Sequence, residues 1–247
     1  MSTAPHISIE PLESVEQFRE AVALQKTIWG FEDIELLPVR LFVVASKIGG
    51  QIYGAYDDRR MIAFCLAIPG HKPGGIAYLH SHMLGVLPEY RDFGIGRRLK
   101  LRQRDDAIAR GIQLIEWTFD PLELRNAYFN LERLGAVVRR FVRNQYGTTS
   151  SVLHSGLPTD RCTAEWWVNS PRVQTILDRE PYDRPATVQR IAVPVAISKL
   201  RREDPAQAKL IQAEIAAQFE AAFRKKLTVF AIDRDETHAT YLLGELA

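Results

Sequence analysis

The 247-residue sequence lacks most of the features that would mark out a specialised class. It has only two cysteines, Cys65 and Cys162. They lie far apart, support no disulfide framework, and read as the ordinary thiols of a cytoplasmic protein. Charge of neither sign dominates: 32 Lys and Arg stand against 30 Asp and Glu, a net +2. That balance argues against nucleic acid and membrane surfaces as partners, and the basic residues are not interleaved with exposed aromatics. No apolar run approaches the roughly 20 residues of a membrane span. Residues 1–11 hold no apolar core behind a basic start, so no secretory leader is expected. There is no internal repeat and no low-complexity tract. The common phosphate-loop signatures are incomplete as well. No Gly-Lys-Ser/Thr follows a glycine loop, and the third glycine of a dinucleotide fingerprint is replaced by Leu99.

What is present is an ordinary globule, 46% hydrophobic and 25% charged, long enough for one large domain or one domain with an appendage. Residues 6–11 alternate as a strand. Ser14 and Gln17 form a capping-box pattern before a helix with Phe18, Val22, Leu24, Ile28 and Trp29 on its apolar face, and Gly30 ends it. A second helix is expected over 39–47 and stops at Gly49-Gly50. Two strands, 51–56 and 61–69, flank a charged turn as a hairpin. A strand follows at 76–86, then a helix at 96–109, a strand at 112–118, a helix from Asp120-Pro121 to Leu134, and strands at 136–142 and 163–168. After Ser170-Pro171 the tail reads as a short helical piece, a link at 179–185, a strand at 189–195, a helix at 204–226, and strands at 227–233 and 237–243.

The chain is organised around residues 78–98, YLHSHMLGVLPEYRDFGIGRR. A strand runs through Leu84, Gly85 and Val86 into a turn, Arg91-Asp92-Phe93-Gly94-Ile95-Gly96, that opens a helix at about Gly96. The first N–H groups of a helix have no internal partners and sit at the positive end of its dipole. Glycines there let a phosphate approach the main chain. Alternatively, the segment is a tight turn that binds nothing. The intact pattern V-x-P-E-Y-R-x-x-G-I-G-x-x-L resembles the acyl-CoA-binding motif of the GCN5-related N-acetyltransferases, the GNAT superfamily. The element order over residues 5–170 is similar to theirs.

The resemblance implies an α/β (α+β) fold: a mixed, strongly twisted sheet with helices on both faces over residues 1–170, and a β-α-β-β extension over 171–247 that packs on or extends the sheet. It also implies a long bacterial form with acetyl-CoA, or another acyl-CoA such as succinyl-CoA, as co-substrate. No metal is expected, because His80-x-His82 has no evident third ligand. The turn residues Arg91 to Arg97 would hold the pyrophosphate, and Leu84, Gly85 and Val86 would line the acyl arm. Among Arg97, Arg98, Lys100, Arg102 and Arg104, one would meet the 3′-phosphate and the rest form a solvated face. On the later helix Asn126 and Phe129 would complete the cofactor site. Counting back from Gly135, the family's Tyr position falls on Leu131, so the acid that reprotonates the thiolate would be Tyr128 or Asn130, with Tyr146 a further candidate, or no side chain at all.

His80 and His82 share a strand face, and an imidazole suits proton removal from an ammonium. His80 is the first candidate base and Glu116 the second. The same two histidines also fit a purely structural, hydrogen-bonded role. Cys65, in an apolar run, reads as inert core. Trp29, Phe31, Glu35 and His82, with Arg161 of the 156–161 loop, would face the acceptor. Arg161 could grip an acceptor carboxylate or simply pair with Asp160. The expected reaction is acetyl transfer to a small primary amine or amino acid by direct attack in a ternary complex, in a possible homodimer. N-succinyl transfer to an amino acid and a non-catalytic acyl-CoA sensor are the alternatives.

Overall fold

The computed structural model describes residues 7–147 and 157–246, which fall into two compact units, residues 7–115 and residues 116–147 with 157–246. His6 and Gly156, the ends of two segments expected from the sequence, lie outside the described residues.

In the first unit, β1 (Ile7–Pro11) leads to α1 (Val15–Trp29). The Ser14 hydroxyl accepts the Gln17 N–H, and the Gln17 side chain accepts the Ser14 N–H, so the capping box is complete. Gly30 ends the helix at φ 68°, a left-handed conformation that glycine adopts without steric cost. A short 3₁₀ turn, Asp33–Glu35, precedes α2 (Val39–Lys47). Next come β2 (Gln51–Asp57), β3 (Arg60–His71), β4 (Ala77–Val86) and α3 (Ile95–Ala109). The strands pair antiparallel in the order β1-β2-β3-β4. Asp58 takes the positive φ of 52° that a tight hairpin turn favours. β2 and β3 are apolar on both faces because both are covered, and Phe18, Phe42 and Phe64 form a ring relay on one side at centroid spacings of 5.9 and 6.1 Å.

The second unit takes over within β5 (Leu114–Phe119). It continues through α4 (Leu124–Tyr128), β6 (Val137–Val142), β7 (Arg161–Trp167), α5 (Pro171–Leu177), β8 (Gln189–Pro194), α6 (Ile197–Glu203), α7 (Pro205–Arg224), β9 (Thr228–Arg234) and β10 (His238–Gly244). Its strand order is β5-β7-β6-β9-β10-β8. The tail therefore extends a sheet, joined where Val138 of β6 faces Val229 of β9. Phe219 of α7 anchors this core, stacked on Phe141 at 5.7 Å and edge-on to Tyr241 at 5.2 Å.

Two helices differ from the sequence expectation. The one expected over 120–134 begins only at Leu124, because Asp120 Oδ1 accepts the Leu122 N–H and holds Pro121 in a turn. It then widens into a π-turn, Phe129–Arg133, in which the Leu134 N–H reaches back to the Phe129 carbonyl. The helix expected over 204–226 is α7, and the unexpected α6 precedes it. Asp204-Pro205 separates the two, with Asp204 accepting the Gln207 N–H as a cap.

Candidate active site

In β4 the register against β3 jumps from Ala67↔Ser81 to Leu66↔Met83, leaving His82 as the extra residue of a bulge. A bulge bends a strand and re-aims the side chains beyond it. Before the bulge Ser81 faces α3, where its hydroxyl donates to Gln103 Oε1. After it Leu84 takes over that face, beside Gly96 of α3. Gly85 turns the other way, against α1. A Cβ there would come 2.5 Å from Trp29 Cη2 and 2.8 Å from Ile28 Cδ1, so a larger residue would force these side chains to shift.

The strand leaves through a 3₁₀ turn, Pro88–Phe93, into Gly94 at φ 71°, the residue before α3. The turn is pinned to the β2–β3 hairpin by two contacts. The Tyr90 hydroxyl donates to Asp57 at 2.6 Å, and Arg60 pairs with Glu89 at 2.9 Å. No side chain caps α3, and its first turn holds no acidic residue. A Cβ at Gly94 would meet nothing within 4 Å, and one at Gly96 would meet only Leu84 at 3.5 Å. Gly94 is thus explained by its backbone conformation. Gly96, at an ordinary helical φ with room to spare, is not required by the fold. Uncapped N–H donors beside an empty cradle suit a phosphate group that must approach the main chain.

Of the basic residues behind this turn, Arg98 and Arg102 are exposed, as on the solvated face expected from the sequence, and Lys100 is not. Arg98 Nη2 donates to the Ile7 carbonyl at 2.7 Å, and Arg102 lies over the Tyr53 ring at 5.4 Å. Lys100 is 4% exposed and donates to Ser81 Oγ at 2.9 Å. Burial pulls its pKa down to about 7. Arg91 and Asp92 are exposed, and Arg91 Nε points at the Val86 carbonyl at 3.4 Å. Cys65 is buried, its thiol pushed up to about 12, as suits inert core.

His80 and His82 lie together on β4 with ring centroids 5.8 Å apart. His80 is half-buried; His82 is exposed at the bulge, and partial desolvation lowers its pKa, favouring the neutral imidazole. Among the described residues no three potential ligands gather as a metal site. Trp29 and Phe31 stack at 5.8 Å, and Trp29 also meets Phe64 edge-on at 6.0 Å, which places the pair over the Gly85 end of β4. Glu35 sits half-exposed in the 3₁₀ turn that follows.

In the second unit Asn126 and Tyr128 are exposed on α4, Tyr128 at 46%, and Phe129 is half-buried where the π-turn begins. Leu131 is fully buried, and Asn130 is buried with its Oδ1 accepting from the Trp117 indole at 3.2 Å. Glu116 is 3% exposed and ion-paired with Arg140 at 2.5 Å. Arg161 is no surface partner of Asp160. It is buried over the Tyr146 ring at 5.4 Å, donates to the Asp160 carbonyl, and burial lowers its pKa. Tyr146 hydrogen-bonds Thr118 at 2.9 Å.

A group absent from the sequence reading surrounds Arg201 of α6. This arginine is 3% exposed and donates to Asp120 at 2.6 Å and to Glu123 at 2.7 Å, which fixes the turn ahead of α4. Burial raises the Glu123 pKa, although Arg201 opposes the shift. The Tyr241 hydroxyl donates to the Pro121 carbonyl in the same turn. Only the unusual density of charge in SKLRRED hinted at it.

Residues 17–135, just under half of the chain, match the acetyltransferase (GNAT) family. Over this stretch the chain is thus similar to the GNAT acetyltransferases. Its fold is similar to that of Arabidopsis thaliana Naa50 in complex with the bisubstrate analogue CoA-Ac-MVNAL, at 16% identity and a TM-score of 0.52, covering 64% of this chain and 97% of that one. It is also similar to the ribosomal-protein-S18-alanine N-acetyltransferase from Escherichia coli, at 18% identity and a TM-score of 0.52, covering 66% and 95%. No curated protein matches the sequence significantly.

Proposed function

We propose that the chain transfers an acetyl group from acetyl-CoA to a small primary amine or amino acid in a ternary complex. The observation that carries this reading is the uncapped start of α3, where Gly96 leaves a cradle that the fold does not need. On this reading the turn from Arg91 to Arg97 holds the pyrophosphate, with Asn126 and Phe129 as further cofactor contacts. Leu84, Gly85 and Val86 line the acyl arm. His80 takes the proton from the acceptor ammonium, with Glu116 the less suited base because Arg140 occupies its carboxylate. The amine nitrogen then attacks the thioester carbon, the C–S bond breaks, and Tyr128 returns a proton to the departing thiolate. Trp29, Phe31, Glu35, His82 and Arg161 select the acceptor. Residues 1–170 carry this chemistry and 171–247 extend the sheet, in a cytoplasmic protein.

The test is thiol release from acetyl-CoA and from succinyl-CoA across a panel of amines and of L- and D-amino acids, with His80→Ala alongside. We expect turnover with acetyl-CoA, and a loss of about 10²-fold or more in the variant with cofactor binding retained. A preference for succinyl-CoA would replace the donor in this reading. Binding without turnover of either donor would overturn it in favour of an acyl-CoA sensor. The observation favouring that second reading is the buried Leu131 at the position where the family is expected to carry its phenol.

A further inference from the structure

The second unit contains a cavity of about 310 Å³ that acyl transfer leaves without a role. Its floor is Phe230 and Ala231 of β9 with Ile176 of α5. One wall is the π-turn at Glu132 and Arg133, and the other is the link that carries Arg179, Glu180, Tyr182 and Arg184. The size is at the lower end for small-molecule sites.

Arg172 is its fixed point. Nε donates to the Gly135 carbonyl at 3.1 Å, Nη2 donates to the Phe230 carbonyl, and the guanidinium lies 4.6 Å over the Tyr182 ring. Nη1 is buried and has no hydrogen-bond partner among the described residues. A buried charged donor left unpaired is costly, and these carbonyl partners do not neutralise the cation. Its neighbour Arg184 is different, being paired with Glu132 at 3.1 Å and with Asp233 at 2.6 Å. Glu132 is further occupied by the Ile232 N–H. With Arg184 and Glu132 satisfied by these contacts, the lining retains Arg133, Arg172 and Arg179 against Glu180 alone.

We infer that this cavity binds a small oxyanion, a carboxylate or phosphate, attached to an apolar body. Arg172 supplies a fixed positive charge beside the oxyanion, Arg133 and Arg179 add further positive charge, and Ile176, Phe230 and Tyr182 cover the apolar part. The guanidinium is already held in place, so little ordering entropy opposes binding.

The test uses the full chain at low salt, titrated calorimetrically with inorganic phosphate, phenyl phosphate and phenylacetate, which separates a phosphate ligand from a carboxylate one. Saturable binding of a phenyl-bearing anion, tighter than that of inorganic phosphate, is expected. Arg172→Gln should weaken it about tenfold or more. Because Arg172 also ties Gly135 to β9, Arg179→Gln serves as a second variant. Arg179 is exposed and makes no side-chain hydrogen bond among those described, so it should fold normally and weaken binding by about threefold. Arg19→Gln on α1 should bind as the wild type does. Failure of all three probes to saturate, or equal affinity in the wild type and both cavity variants, would overturn the inference. Neither outcome bears on thiol release, so this site and the acyltransferase reading stand or fall separately.

Discussion

Each unit has a place where a strand feeds a turn and then a helix, and the two are built in opposite ways. In the first unit, β4 enters α3 through Gly94. The helix start is uncapped, and a Cβ at Gly96 would meet only Leu84. In the second, β5 enters α4 through Asp120-Pro121-Leu122, all buried, with Asp120 bonded to the Leu122 N–H and clamped by Arg201. One junction leaves its first backbone donors without a side-chain cap. The other is closed by the chain's own side chains. The same local order of elements therefore leaves backbone donors open only where no side chain closes it.

The sharpest way to break the closed junction is to remove its cation. Arg201→Ala leaves Asp120 as an uncompensated buried charge, a loss of about 3–5 kcal/mol. Denaturant unfolding monitored by tryptophan fluorescence would measure it. Adding Asp120→Asn should recover part of the loss, since the stranded charge disappears with it. A single variant within about 1 kcal/mol of the wild type would mean that the clamp is not what closes this turn.

The open junction was legible in the sequence and the closed one was not, for a reason of distance along the chain. Gly94, Gly96, the Ser14–Gln17 capping box and the Asp58 turn are all local devices whose parts lie within a few residues of each other. The closed turn depends on Arg201 and Tyr241, which are 81 and 120 positions from their partners Asp120 and Pro121. Pairing across elements also escapes a local reading of the basic residues of α3, of which only Lys100 leaves the solvated face. Arg98 reaches the Ile7 carbonyl 91 residues away, and Lys100 is drawn inward by Ser81. The π-turn was hidden for a different reason: FNLER has the composition of ordinary α-helix.

Filling the open cradle should have the next largest effect. Gly96→Leu places a side chain where a Cβ meets only Leu84 at 3.5 Å, so folding should change by less than about 1 kcal/mol. Acyl-CoA affinity should fall about a hundredfold, since the main-chain donors are then covered. Parallel thermal melts and cofactor titrations separate the two effects. Unchanged affinity would show that the uncapped start of α3 is an ordinary helix end.

The smallest effect concerns how the two units treat a buried cation. Arg201 faces two carboxylates, whereas Lys100 donates to the neutral Ser81 hydroxyl and its pKa falls to about 7 from an ordinary 10.5. The sign follows from proton counts. Between pH 7 and 10.5 the unfolded chain holds the Lys100 proton and the folded chain does not. Stability from this group therefore rises with pH across that window, by at most about 1.4 kcal/mol per pH unit, and is lost as pH falls toward 7. Cys65 opposes the trend at higher pH, because its thiol is held protonated up to about 12 in the fold. Both effects separate in a comparison of the wild type with Lys100→Met from pH 7 to 9, where Cys65 is common to both. The difference in unfolding free energy should grow in favour of the wild type as pH rises. Parallel curves would mean that Lys100 keeps its proton in the fold, and that α3 tolerates a buried charge as α6 does.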